Sequence, residues 1–219
     1  MIKILAIDTS TDACSAALLH GDKLIDRFVV APQKHTSFIL PMVDELLAEA
    51  ELTLSQLDVV TFGSGPGSFT GARLAASIVQ GFAFASSLPV VKISTLRTLA
   101  QQAFVEFDAK NVFVVTDARM GEVYWGEYQV DDKGVMCALK PDRLIKPHEI
   151  EFIQQNEFVG VGNGFEVYKD LFRDRIKVLP IKYPQASQVA RLAAYDFARG
   201  LMVAPEKALP TYLREKVAS

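Results

Sequence analysis

The chain has 219 residues, half of them apolar, with 26 acidic and 23 basic side chains and a formal net charge of -3. That apolar share supports a packed core and excludes a disordered chain. The near-balance of charge excludes a broad phosphate-binding surface, which needs clustered Lys and Arg.

The opening MIKILAIDTS has an apolar run that meets Asp8 before it reaches the length of a signal peptide's apolar core. No uninterrupted apolar stretch is long enough to span a bilayer. A soluble, cytoplasmic protein with no membrane partner is expected. Cys14 and Cys137 fit no CxxC spacing and read as small buried or half-buried residues of a reducing compartment.

Residues 2–7 read as a buried strand that ends in the polar run Asp8-Thr9-Ser10-Thr11-Asp12. Residues 14–19 and 23–31 read as two more strands, joined by the His20-Gly21-Asp22 turn into an antiparallel meander. Pro32 ends it, and a helix follows over 35–50, with Thr36 or Ser37 as cap. A strand at 58–62 runs into GSGPGSFTGAR, a glycine-rich turn opening a helix to about residue 87. Pro89 precedes the strand VVKI, and Ser94 or Thr95 caps a helix through about Phe104. This order predicts a mixed sheet with covering helices.

A second unit starts near Asn111, with strands at 112–116, 122–130 and 135–139. After Pro147 a short helix, a strand at 158–161 and a loop with Gly160, Gly162 and Gly164 follow, then a helix at 187–199 and a basic tail. The second unit begins like the first but is shorter in helices, so two pseudo-repeated halves are expected. Their division is 1–106 and 107–219, with the C-terminal helix packing back toward the first.

Three segments carry a family resemblance. IDTST after the first strand resembles the phosphate-loop hairpin of the actin and hexokinase superfamily. The run from Gly63 to Arg73 is similar to the signature of the TsaB (YeaZ) family, and Thr116-Asp117-Ala118-Arg119 with Gly121-Glu122-Val123-Tyr124 is similar to that family's second signature. The resemblance covers essentially the whole chain. It implies a two-lobed, actin-like (ribonuclease H-like) α/β fold with an abbreviated second lobe. It also implies a non-catalytic subunit in the making of threonylcarbamoyladenosine beside the tRNA anticodon. There TsaB is the platform for its paralogue TsaD, which transfers the threonylcarbamoyl group, and the ATPase TsaE joins the pair. The resemblance gives this chain no cofactor of its own, leaves ATP, ADP or a metal to the assembled complex, and brings tRNA only through that complex.

The candidate phosphate-loop residues are Asp8, Ser10, Gly65, Gly67, Asp117 and Arg119. The glycine turn frees the backbone and opens a helix whose unpaired N–H groups and positive dipole end suit a phosphate. No Lys follows in the GxxxxGK[ST] arrangement, so it is not a Walker loop. The other reading is that the glycines let helix and strand pack closely. Asp8 and Asp117 have a plain alternative as side-chain caps of their own turns. At the place where the TsaD paralogue carries an HxxxH metal pair, Thr95 and Leu99 stand here, and leucine binds no metal. His20, His35 and His148 are not at i, i+4 spacing, so no transition-metal site is expected. No hydrolytic motif is present, which disfavours a glycopeptidase. An independent small-molecule phosphotransferase is the main rival function.

The helices at 35–50 and 70–87 point to a partner. From Leu74 through Val91 no residue is charged, whereas a surface helix normally shows a polar face. At about 100° per residue, Leu74, Ala75, Ile78, Val79, Phe82 and Ala85 gather toward the sheet. Arg73, Ala76, Ser77, Gln80, Ala83, Phe84 and Ser87 face outward. On the first helix Ile39, Leu40, Val43, Leu46, Leu47 and Ala50 form the core face, with Phe38 and Met42 beside it. The expected interface is therefore Phe38, Met42, Arg73, Ala76, Ser77, Gln80 and Phe84, covered by the paralogue or by a second copy in a homodimer.

Overall fold

The computed structural model describes residues 1–152 and 157–214. Its chain divides into two compact units. The first is Met1–Thr98 with Pro184–Thr211, and the second is Leu99–Tyr183 with the described residues from Tyr212. The units differ from the sequence division in two places. Leu99 onward goes with the second unit, where Gln101 bonds Gly134 and Met136. The C-terminal helix goes with the first, whose sheet it covers.

In the first unit β1 (Lys3–Asp8), β2 (Ala13–His20), β3 (Lys23–Val30), β4 (Val59–Gly63) and β5 (Val90–Ile93) form one sheet in the order β3-β2-β1-β4-β5. β1, β2 and β3 pair antiparallel, and β4 and β5 run parallel to β1. Helices α1 (His35–Glu49) and α2 (Phe69–Ser86) pack on the face carrying Leu5, Ile7, Val60 and Phe62. Full burial of a side chain such as Phe62 contributes roughly 2–3 kcal/mol. α3 (Thr95–Phe107) follows β5, its start capped by Ser94, whose Oγ accepts from the Arg97 N–H at 3.3 Å.

The second unit repeats the plan. β6 (Asn111–Asp117), β7 (Val123–Val130) and β8 (Met136–Ala138) form an antiparallel meander, to which β9 (Arg143–Ile145) adds on β7. β10 (Phe158–Val161) and β11 (Lys177–Val178) run parallel to β6, giving the order β11-β10-β6-β7-β8. This is the first unit's order with each strand in its counterpart's place, the two-lobed actin-like, ribonuclease H-like plan. The expected abbreviation of the second lobe is there as well: β10 is followed only by the four-residue helices α4 (Gly164–Val167) and α5 (Lys169–Phe172). Their Phe165 and Phe172 close a core in which Phe113 stacks on Trp125 and Phe158.

α6 (Ala186–Ala198) crosses the first sheet on the face opposite α1 and α2, where the Ala186 N–H bonds the Ser15 Oγ. α6 therefore does not cover the outer side of α2. Among the described residues no helix is long and apolar enough to cross a membrane.

Candidate functional site: two hairpin turns and an apolar helix flank

The β1–β2 turn is sealed over Asp8–Ser10, while Thr11 is half-buried and Asp12 exposed. Asp8, Thr9 and Ser10 are 1%, 0% and 0% exposed. Asp8 Oδ1 accepts from both the backbone N–H and the hydroxyl of Ser10, at 2.8 and 2.7 Å, and Ser10 Oγ accepts from Thr95 at 3.0 Å. Asp8 thus caps its own turn. Its Oδ2 has no hydrogen-bond partner. Burial pushes the Asp8 carboxyl up to about 6, against the lowering effect of the two Ser10 bonds.

The glycines of the second segment are shaped to this hairpin. A Cβ on Gly63 would collide with the Asp8 carboxylate, one on Gly67 with the Ser10 carbonyl, and one on Gly71 with the Thr9 carbonyl. The Ser10 carbonyl accepts from the Ser68 N–H at 2.7 Å, and Thr9 Oγ1 donates to the Gly71 carbonyl at 2.7 Å. Ser68 caps α2 by accepting from the Gly71 N–H. Gly65, at φ 97°, passes its carbonyl to the Thr95 N–H. The space beside Gly67 and Gly71 is filled by carbonyl oxygens of the chain's own hairpin, and that beside Gly63 by the Asp8 carboxylate.

The β6–β7 turn is built the other way. Asp117 Oδ1 accepts from the Arg119 N–H at 3.0 Å, its Oδ2 pairs with the Arg119 guanidinium at 3.3 Å, and its N–H bonds Asn163. Arg119 and Met120 have positive φ, 61 and 56°, a conformation that costs a side-chain-bearing residue about 1 kcal/mol or more. Gly160, Gly162 and Gly164 do not form a cradle. Added Cβ atoms would strike the Phe165 ring from Gly160, the Val115 carbonyl from Gly162 and Val115 from Gly164. Among the described residues no group of three His, Cys, Asp or Glu side chains could hold a metal ion. His35 is a packing residue: its Nε2 lies 2.8 Å from the Thr11 carbonyl.

The helix flanks need correction. Met42 and Ala76, expected at the interface, are 8% and 3% exposed and belong to the core. Ala83 is also buried, while Leu40 and Ala85, expected inside, are exposed. The cause is the same in each case. α2 lies close on the sheet through small residues (Ala72, Ala75, Ala76, Val79 and Ala83), which turns the bulkier Leu74, Ile78 and Phe82 to half-buried flanks. α1 likewise buries Met42 in place of Leu40. Its start has no side-chain cap, so neither Thr36 nor Ser37 serves as one. Phe84 stays 61% exposed and Phe38 36%. Ser77 is exposed and Gln80 half-buried, and Arg73 lies over the Phe69 ring, 3.4 Å from its centroid. Beyond the glycine turn, which includes Gly63, Arg214 contributes at the β6–β7 turn and gives no local signal in the sequence.

Residues 29–219 match the model of the TsaD family, tRNA N6-adenosine threonylcarbamoyltransferase. The tRNA threonylcarbamoyladenosine biosynthesis protein TsaB of Escherichia coli is 41% identical over 223 residues, covering 99% of this chain and 96% of that protein. Its namesake from Haemophilus influenzae is 37% identical over 99% of this chain and 95% of its own. The solved structure of YeaZ from Pseudomonas aeruginosa superposes with a TM-score of 0.93 at 41% identity, over 97% of this chain and all of that one. With the repeated sheet, both signatures and near full-length similarity in agreement, the chain belongs to the TsaB (YeaZ) family.

Proposed function

We propose that this chain takes part in threonylcarbamoyladenosine biosynthesis in tRNA as an accessory, non-catalytic subunit whose work is to bind a TsaD-type transferase. The TsaB relatives supply the pathway. The observation that carries the binding role is Phe84, 61% exposed on a helix with no charged residue after Arg73. A large aromatic on an uncharged helix flank of small residues (Ser77, Gly81 and Ala85) suits a close helix–helix contact with another polypeptide. Phe38, Arg73, Phe69 and Gln80 extend it. The buried Asp8–Ser10 segment supports the non-catalytic part, because its polar groups are engaged in capping their own turn and in bonding the start of α2. In this reading TsaE and ATP engage the assembly, the modified base is the adenosine beside the anticodon, tRNA reaches this chain only through the complex, and the protein works in the cytoplasm. Without its paralogue the same flank pairs two copies.

The test is co-purification of this chain with a TsaD-type transferase and TsaE, followed by an assay of modified adenosine with and without it. Stable association and dependence of product on this chain are expected. Full product formation in its absence, or no association, would contradict the reading.

A further inference from the structure

β3 is an edge of the first unit's sheet. Its register on β2 sets Lys23 against His20 and Val30 against Ala13, and the next residue, Ala31, donates its N–H to the Asp12 carbonyl. Hydrogen-bonded pairs alternate along an antiparallel ladder. Lys23, Ile25, Arg27 and Val29 therefore bond β2, while Leu24, Asp26, Phe28 and Val30 turn their N–H and C=O groups to the open side. Such an edge is a template for another strand. Phe28 and Val30 stand on it 42% and 47% exposed.

Arg27 reaches across this edge. Its Nη1 donates to the outward carbonyl of Asp26 at 3.0 Å, while Nε and Nη2 are held by Glu45 and Glu49 of α1 at 2.9 and 2.8 Å. Exposed ion pairs contribute little to stability, so the fork's position matters more than its strength. The chain that it keeps off follows from the register. When β3 pairs antiparallel with a second β3, one twofold alignment uses all four outward residues, with Leu24 opposite Val30 and Asp26 opposite Phe28. In it the aliphatic Leu24 and Val30 meet, but the Phe28 N–H needs the Asp26 carbonyl, the oxygen that Arg27 covers. The same alignment puts Arg27 directly opposite its own copy, and like charges so placed oppose pairing.

We propose that Arg27 is an autoinhibitory guard, which prevents two copies of this chain from joining their sheets through β3. The occupant it excludes is the β3 of a second copy. The guarded edge is a different surface from the Phe84 flank, so it leaves that flank free for a partner.

The test is sedimentation velocity with amide hydrogen exchange, over a concentration series of the full chain carrying Phe84→Glu, which takes the helix flank out of the measurement. Adding Glu45→Gln and Glu49→Gln, with Arg27 still on the edge, is expected to leave a monomer. Adding Arg27→Met to these, which keeps the aliphatic stem, should tighten self-association about tenfold or more. It should also slow exchange at Leu24, Asp26, Phe28 and Val30 as concentration rises. Arg27→Met without the glutamine changes should move the same way by less, and carries the test if the combined variant does not fold. Phe28→Pro on the combined variant removes an outward N–H, spares the β2 ladder and should restore the monomer. If Arg27→Met stays within about twofold of its background, or Phe28→Pro does not reverse the association, the inference fails. Concentration-dependent protection of those four amides with Arg27 present also overturns it. Self-association of the Phe84→Glu chain that leaves them open counts against the flank and not against the guard.

Discussion

The β1–β2 and β6–β7 turns occupy the same slot in two sheets of the same strand order, and they have opposite fates. In the first, Asp8, Thr9 and Ser10 are buried, and the Asp8 carboxylate and the Thr9 and Ser10 carbonyls fill notches left by the glycines before and inside α2. In the second, Arg119 and Met120 stand in solvent on a clamped turn. The element after the parallel strand decides which. After β4 a helix of 18 residues closes on the hairpin. After β10 only short helices follow, and their glycines pack against Val115 on β6. Repeating a topology therefore does not repeat a site.

The sharpest way to break this comparison is to fill the sealed turn. Gly63→Ala puts a methyl group against the buried Asp8 carboxylate and should cost about 3 kcal/mol or more in urea unfolding. Adding Asp8→Ala should recover part of that loss, a non-additivity expected of groups in direct contact. Gly121→Ala in the other lobe meets nothing within 4 Å. It should cost only about 1 kcal/mol, from its positive φ. Equal losses at Gly63 and Gly121 would erase the distinction.

Next in size is the pH dependence of the sealed turn. Burial raises the Asp8 carboxyl from 3.8 to about 6, so the folded chain holds that proton more tightly than the unfolded one. The stabilisation is complete below about pH 4, declines as pH rises through about 6, and is gone above, on the order of 3 kcal/mol across the window. Asp8→Asn keeps an acceptor for Ser10 and cannot ionise. Relative to wild type it should gain stability between pH 4.5 and 8, measured by denaturant unfolding; a constant difference would show that Asp8 does not titrate in that window. The smallest effect belongs to the open turn. Asp117→Ala loses the cap on the Arg119 N–H, costing about 1 kcal/mol, and should speed hydrogen exchange at residues 118–122 more than elsewhere.

Much of the fold was legible because long, regularly patterned segments announce themselves. β1 to β7, β10 and the four long helices lie within a few residues of where periodicity put them. β9 and β11, of three and two residues, are too short to carry a period, and exist because a neighbouring strand offers an edge. The site was harder. The faces of α2 were misjudged because hydrophobic periodicity favours bulky residues, whereas a helix lying close on a sheet selects small ones, as Ala76 and Ala83 show. Asp8 and Asp117 were legible as turn caps, since an aspartate bonding two residues ahead needs only local sequence. Arg214 was not, because it reaches residues 118–122 from nearly a hundred positions away.

On the proposed function this chain contributes a surface and not a reacting group. Reconstituted threonylcarbamoyladenosine formation, titrated with wild type, Phe84→Glu and Asp8→Asn, separates the two roles. Asp8→Asn should support the wild-type rate. Phe84→Glu, still folded, should lose the product at low concentration and recover it as more of the chain is supplied. Loss of product with Asp8→Asn that no excess restores, beside an unimpaired Phe84→Glu, would contradict it.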